Sequence, residues 1–443
     1  MPMDSLPADT VFSRTPFRFH SGLRKTSAAL CYGFLLCSGF AQAPRPQPSL
    51  PLATKAGEKT PVPAVSTASP FKRASAKIGA PLFLSKPTGN LPAGNVQLTA
   101  TELAPNQGAA DGGPIQLTQN LSLGTRAGLD ALLQHLRTLH KDWKAQARCQ
   151  IAFSDTLAPD ETVAFDFPIA ILLTSMLGDW SIAPGCAAFG ILRPDGTVFP
   201  VSRALIRVTA AARGGAKRIL VPERNGGQVA DMLLNDGPAA FSAVQIFAVN
   251  NFEDAQIYAA AEPTPDIAEA LSRFDAIQQR LTAPGADAEA LLKDPDTLEA
   301  LRGVLLKSPN HLSARLLLGH STGRYKIFSA DGSSEVIERI GASLVPACRS
   351  PRPNDAASLQ KDLVNKEVET LKKARERLDP TSQPWLDAVL RYAVVVQGWH
   401  QEPPLDSARA MQINAQLLAT AKAARAEDIK LHNLLAEKRL SRR

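Results

Sequence analysis

The chain has 443 residues, with 49 Lys and Arg against 42 Asp and Glu and a formal charge of +7. Apolar residues make up 44% and charged residues 21%, an ordinary globular balance that excludes a wholly disordered chain. The mild, dispersed positive charge and the 6% of aromatic residues argue against a nucleic-acid surface, and the length suits about two domains plus extensions.

Residues 11–25 carry Arg14, Arg18, Arg24 and Lys25 and no acid, and an apolar run from Ala28 to Phe40 follows. The run falls short of the roughly 20 residues that cross a bilayer. Small residues come next, with Ala41 followed by Gln42 and Ala43. This order is that of a secretory signal peptide over residues 1–41, cleaved near Ala41. The protein is then exported to a periplasm or the cell exterior, with no transmembrane span in the mature chain. An uncleaved anchor or a misplaced start is the competing reading. Leu36 before Cys37 argues against lipidation. Export leaves Cys149, Cys186 and Cys348, enough for one disulfide. Cys149 and Cys186 both open predicted strands joined by one helix, which suggests neighbouring strands and a possible bond. No C-x-x-C occurs, so no zinc site of that type is expected, and no metal or cofactor is implied.

Residues 42–93 are rich in Pro, Ala, Ser and Lys and read as an extended, disordered linker. Order is expected from Gly94. Val96, Leu98 and Ala100 alternate in a strand, and Ile115–Thr118 reads as its returning partner after a Gly-rich loop. Leu129, Leu132, Leu133 and Leu136 form one helical stripe. Cys149–Phe153 is a strand and Ile169–Leu177 a buried helix. Arg193-Pro-Asp-Gly196 turns a hairpin between flanking strands. A helix over 203–213 stops at Gly214-Gly215, and a strand at Arg218–Pro222, a helix near 228–234 and a strand at 243–247 complete an α+β domain spanning 94–262. Beyond Glu262 strand signals nearly vanish, so 263–443 is predicted to be an all-α domain. Residues 305–318 look like the junction of two tetratricopeptide helices, but no second copy at that period is evident. Lys422–Arg443, with seven basic and three acidic residues, is either a basic surface helix or, more simply, the last helix of its bundle.

Four segments in the first domain carry a resemblance. They are Asn120-Leu-Ser-Leu-Gly-Thr125, Phe165-Asp-Phe-Pro-Ile-Ala170, Gly196-Thr-Val-Phe-Pro-Val201, and Ala210 through Arg213-Gly-Gly215 and Pro222 to Asn225. In order and spacing these resemble the proteolytic domain of Lon, the serine-lysine peptidase family. The resemblance covers about two fifths of the chain and implies the fold of ribosomal protein S5 domain 2. The family's ATPase has no counterpart, because no G-x-x-x-x-G-K-[ST] loop is present. Asp166, Pro168, Ala170, Arg213, Gly214, Gly215, Pro222 and Asn225 match the motifs. The position of the family's serine is Ile169, and that of its lysine, eight residues before Arg213, is Leu205. Neither side chain can attack or ionise.

The resemblance therefore implies a pseudopeptidase that binds polypeptide or a partner protein without cleaving it, its former site filled and dry. Two other readings stay open: a Lon-type serine endopeptidase with a displaced nucleophile, with Ser175 and Ser202 as the candidates, and a structural scaffold. Phe165, Phe167, Phe189 and Phe199 read as core residues more readily than as a peptide groove. The partner and the oligomeric state are not legible.

Overall fold

The computed structural model describes residues 71–84, 93–103, 115–119, 130, 132–138, 148–158, 164–178, 180–352, 355–404 and 406–441. The segment expected to be a signal peptide, most of the expected linker and the Asn120–Thr125 segment lie outside them. An α/β region built on a mixed sheet is followed by a helical region. The seven-stranded sheet has the order β3-β4-β2-β1-β5-β8-β9. Its strands are β1 (Ser75–Phe83), β2 (Ala93–Glu102), β3 (Ile115–Leu117), β4 (Cys149–Phe153), β5 (Cys186–Ala188), β8 (Arg218–Pro222) and β9 (Gln245–Val249). Only β2 runs against the others. A separate hairpin joins β6 (Ile191–Leu192) to β7 (Val198–Phe199). Its turn contains Gly196 at φ +84°, where any side chain would also meet the His135 ring.

Strand β1 corrects the sequence reading, because it lies inside the segment taken for a disordered linker. Ile78, Ala80 and Leu82 pair with Leu98, Val96 and Gly94, and none of these three β1 side chains is more than 1% exposed. The apolar stripe is short, and lysine, serine and proline interrupt it, so average composition conceals it. Pro81 has no N–H to give a ladder; its carbonyl accepts from Arg207 Nη1 at 2.8 Å. Two further expectations change. Strand β3 pairs with β4, in parallel, and is not the return partner of β2. Cys149 and Cys186 open parallel strands, but β2 and β1 lie between β4 and β5. Three strand spacings of about 4.8 Å exceed the reach of a disulfide, and both thiols are free and buried. Burial pushes each of them up to about 12.

Helices cover both faces. A short helix α1 (132–138) seats His135 against the hairpin, its Nδ1 donating to the Pro194 carbonyl at 3.0 Å. All twelve residues of α2 (Asp166–Leu177) are buried, as expected of a helix that is apolar all round. Phe165, which precedes it, meets Phe153 edge-on at 6.0 Å. Phe153 is the register partner of Leu98, so α2 covers the face bearing Ile78 and Leu98. Helix α5 (Phe252–Ala259) shares that face, with Tyr258 stacked on Phe247 at 4.7 Å. Helix α3 (Ala204–Arg213) covers the opposite face, where Gly214 approaches Asn95, and α4 (Gly226–Asp236) packs on α3. The connections through α2 and α3 run the same way across the sheet on opposite faces, so they have opposite hands.

The shift at Glu262 marks the last strand but not the edge of the core. Helices α6 (Pro265–Thr282), α7 (Ala288–Leu291), α8 (Pro295–Lys307) and α9 (Leu312–Ser321) belong to the sheet's own hydrophobic cluster, which runs to Leu317. They cover the edge strand β9: the Ile246 N–H donates to Ser313 Oγ at 2.9 Å, and the Ala248 N–H donates to the Asn310 carbonyl at 2.9 Å. An edge capped this way cannot recruit another strand. A second core begins at Phe328. It is built from α10 (Ala330–Ile340), α11 (Leu344–Arg349), α12 (Asp355–Ser358), α13 (Lys361–Ala374), α14 (Gln383–Gln401) and α15 (Ser407–Ser441). The basic carboxy-terminal stretch belongs to α15 as far as Ser441 and buries Ala424, Leu431 and Leu435 in this bundle. The boundary expected at 262/263 therefore falls, by packing, between Leu317 and Phe328.

Candidate functional site

Asp166 opens α2 and ties it to the hairpin. One carboxylate oxygen accepts the Phe167 N–H at 2.8 Å and the other the Leu192 N–H at 3.3 Å. Burial pushes the carboxyl up to about 8 against these two bonds. Pro168, Ile169 and Ala170 follow, with Ile169 and Ala170 fully buried. Phe165, Phe167 and Phe189 are core residues at 1% exposure or less. The guanidiniums of Arg193 and Arg224 both approach the Phe199 ring, at 3.4 and 5.0 Å from its centre, contacts the sequence did not announce.

The start of α3 is held by side chains that imitate backbone. Asn225 clasps Val201 twice, accepting its N–H at 3.1 Å and donating to its carbonyl at 2.9 Å. Gln228 Oε1 accepts the Ala204 N–H at 3.0 Å and a bond from Asn225 Nδ2 at 3.2 Å. Arg203 precedes the helix in the left-handed region, φ 59° and ψ 39°, and is the one non-glycine residue with positive φ among the described residues. Its guanidinium reaches Glu338 of α10 at 3.3 Å. The end of α3 needs its glycines: a Cβ on Gly214 would stand 2.4 Å from the Asn95 Cβ, and Gly215 has φ +82°. Pro222 ends β8, its Cγ 3.1 Å from where a Gly190 Cβ would be. Asp166, Gly214, Gly215, Pro222 and Asn225 thus have scaffold duties visible in their contacts, whereas Arg213 is exposed.

Those two positions are apolar and buried, Ile169 at 0% and Leu205 at 5% exposure. They sit in the first turns of helices on opposite faces of the sheet. Their surroundings differ. Ile169 belongs to the close-packed core, whereas Leu205 lines a cavity of about 570 Å³ between α3 and α10, bounded also by the first residues of β2. Ile169 is not among that cavity's lining residues, so the structure does not bring the two positions together in one pocket. Ile169 is packed in the core and Leu205 borders open space, so the two do not form one filled site. Among the described residues neither serine candidate's hydroxyl is bonded to a basic side chain. The Ser175 hydroxyl is buried and donates to the Leu172 carbonyl at 2.8 Å. Ser202 is exposed, and its carbonyl accepts from Arg207 Nε at 3.3 Å.

The cavity contains a residue that sequence reasoning missed. Glu335 of α10 forms part of its wall at 7% exposure, and neither carboxylate oxygen has a hydrogen-bond partner. Burial pushes this carboxyl up to about 8, and Arg203 draws it down. Nothing in the local sequence marks Glu335, which reads as one more acid on a helix; only packing of α10 on α3 makes it part of the α/β region's surroundings.

The chain matches no known protein family and no curated protein. Among the described residues no group of three or more His, Cys, Asp or Glu is placed to hold a metal ion, and no helix is long and apolar enough to cross a membrane.

Proposed function

We propose that the α/β region is a Lon-type proteolytic fold, of the ribosomal protein S5 domain 2 kind, that has kept its scaffold and lost its chemistry. On this reading the protein is exported after cleavage near Ala41 and binds polypeptide or a partner protein without cutting it. The observation that carries the reading is the division of labour within the matched segments. Asp166, Gly214, Gly215, Pro222 and Asn225 each hold a hydrogen bond, a close approach or a strained turn; Ile169 and Leu205, which match the dyad positions in sequence, are buried and apolar but lie on opposite faces of the sheet, so the reading rests on the scaffold contacts and not on a dyad site assembled in the fold.

The test is chemical. A fluorophosphonate probe labels only an activated serine, so the full chain is expected to stay unlabelled and to leave casein uncut, with or without ATP. Labelling or turnover that vanishes in Ser175→Ala or Ser202→Ala would overturn the reading in favour of a displaced nucleophile. Binding is read separately: fluorescein-labelled casein should gain anisotropy on titration with the protein, and a flat titration argues for a scaffold instead.

A further inference from the structure

We propose that the notch beside the first residues of β1 receives the carboxyl-terminal end of a polypeptide, added to the sheet as a short strand. The proposal rests on the polypeptide-binding reading above and gives it a chemical preference. The notch follows from the register of the sheet. The Ala74 carbonyl accepts the Glu102 N–H at 2.9 Å. In this antiparallel pair the even-numbered residues of β1 therefore bond to β2, and the odd-numbered ones turn their N–H and C=O groups the other way. Three odd positions are met there: Gly79 pairs with Ala187 of β5, the Pro81 carbonyl with Arg207, and the Phe83 carbonyl with the Ala158 N–H. Ser75 and Lys77 are left, and among the described residues no backbone group pairs with them on that side. Strand β5 begins only at Cys186, because the chain before it turns away to pair Ile182 with Ala260. A cavity of about 310 Å³ occupies the open lane, with Lys77, Gly79 and Gly185 in its wall.

Shape and charge together select the occupant. An unpaired strand edge recruits an extended chain through main-chain bonds. The lane leads from exposed Ser75 and Lys77 to buried Gly79, and the edge from Ser75 to Lys77 is about 7 Å long, enough for roughly two or three residues. Strand β5 stands in the same lane, so a strand entering from the start of β1 meets Cys186 and must end there. An internal segment would have to pass through β5, whereas a chain end does not. Of the two ends, charge favours the carboxyl terminus. Arg73 and Lys77 line the notch and no Asp or Glu does. Lys217 stands behind Gly185, its Cγ 3.2 Å from where a Cβ on that glycine would be. A carboxylate there accepts charge-assisted hydrogen bonds, and an ammonium would meet only like charge. The notch lies at the far ends of α2 and α3 from Ile169 and Leu205, where Ser175, Gly214 and Gly215 line it.

The experiment uses the full chain and a fluorescein-tagged pentapeptide, Gly-Ser-Thr-Val-Ala, prepared as its free acid and as its carboxyl-terminal amide. Anisotropy titration should show the acid binding about tenfold or more tightly than the amide. Methylating the last two peptide N–H groups one at a time tests strand pairing. One methyl should abolish binding and the other should not, because successive N–H groups point to opposite sides of a strand. Lys77→Glu should bring the acid down to the amide level with an unchanged circular dichroism spectrum. Ser75→Pro removes an N–H that faces the notch and none that β2 uses, and Pro81 already occupies such an odd position; it should weaken acid and amide alike. Equal affinity for acid and amide, no binding of either at millimolar concentration, two methylated peptides that bind like the parent, or indifference to both substitutions would overturn the proposal. Labelled casein keeps the two readings apart. Binding of casein without any preference for the free acid over the amide would sink the notch and leave the polypeptide reading standing. Binding of the acid peptide with a flat casein titration would sink the broader polypeptide reading alone.

Discussion

The sheet core and the helical core satisfy their buried polar groups in different ways. Around the sheet, polar side chains bond to backbone: Asn225 to Val201, Gln228 to Ala204, Asp166 to Phe167 and Leu192, Ser313 to Ile246. In the bundle Glu367 likewise accepts the Ser343 and Leu344 N–H groups and Ser333 Oγ the Asp379 N–H, but an ion network is added, with Arg349 holding Glu338 at 2.5 Å and Asp428 at 2.7 Å. The difference follows from topology. Strand-to-helix junctions leave N–H and C=O groups unpaired at the ends of elements, and neutral amides can serve both kinds at once. Helix starts in the bundle have the same loose ends, capped by Glu367, Ser329 and Ser333; helices packed side by side in addition bring long charged side chains together across their interfaces.

The largest expected effects test whether the sheet core is as uneven as its two apolar positions suggest. Ile169→Ala should cost about 2–5 kcal/mol, because a close-packed site collapses poorly. Leu205→Ala should cost less, since one side of Leu205 already faces open space. Lysine sharpens the contrast. Ile169→Lys should prevent folding, whereas Leu205→Lys should be tolerated far better, because its ammonium enters open space and not a packed core. Equal penalties in urea melts would show that the cavity does not distinguish the two positions.

Next in size is the contrast between amide and ion. Asn225→Leu leaves the Val201 N–H and C=O buried without partners, at about 1–3 kcal/mol for each group. Arg349→Met leaves Glu338 with Arg203 and Asp428 with His432, so its cost should be about 1–2 kcal/mol. Salt separates the mechanisms. In 1 M sodium chloride the Arg349 penalty should shrink, and the Asn225 penalty should not. A salt-dependent Asn225 penalty would break the comparison.

The same contrast predicts opposite responses to pH. Asp166 titrates near 8 in the fold against about 4 when unfolded. The native state therefore holds the extra proton between those values, and stability declines as pH rises from about 4 to 8. Asp231, pushed by burial up to about 7, adds to the decline. For Asp428 burial works upward, but bonds from His432 and Arg349 together outweigh it and hold the carboxyl near 2. Its contribution is present above about 4 and is lost as pH falls toward 2. Asp166→Asn should flatten the neutral limb of a stability–pH curve and leave the acid limb alone, while Asp428→Asn should do the reverse. Both substitutions flattening one limb would mean the groups are misassigned.

Much of this architecture was legible in the residues, for identifiable reasons. The run from α3 through β8 could be placed because Gly214-Gly215 admits no other local structure and Arg218–Pro222 is a compact apolar strand. Arg193-Pro-Asp-Gly196 announced its turn in the same way. Strand β1 was hidden because its partners are about 10–26 residues away in β2 and about 110 away in β5; alternation over a few small residues becomes a signal only when β2 and β5 stand beside it. The late core boundary and the Glu335 cavity were hidden for a related reason. Helices α6 to α9 look independent until the edge of β9 is seen to need them, and an acid on α10 gains meaning only from the helix it faces.

The smallest expected effect concerns Arg203, where the two regions meet. Its left-handed backbone costs roughly 1 kcal/mol for a residue with a Cβ, and its half-exposed ion pair with Glu338 returns at most about that much. The two contributions can be separated by substitution. Arg203→Ala removes the ion pair and keeps the strain, so it should destabilise by about 0.5–1 kcal/mol. Arg203→Gly removes both, and glycine adopts φ 59° without steric penalty. The glycine variant should therefore lie within about 0.5 kcal/mol of the parent and above the alanine variant. The ranking of the two substitutions is the observable, since each absolute change is near the error of a denaturant melt. An alanine variant as stable as the glycine variant would show that residue 203 carries no left-handed strain in solution, and that the junction with α10 is set by the ion pair alone.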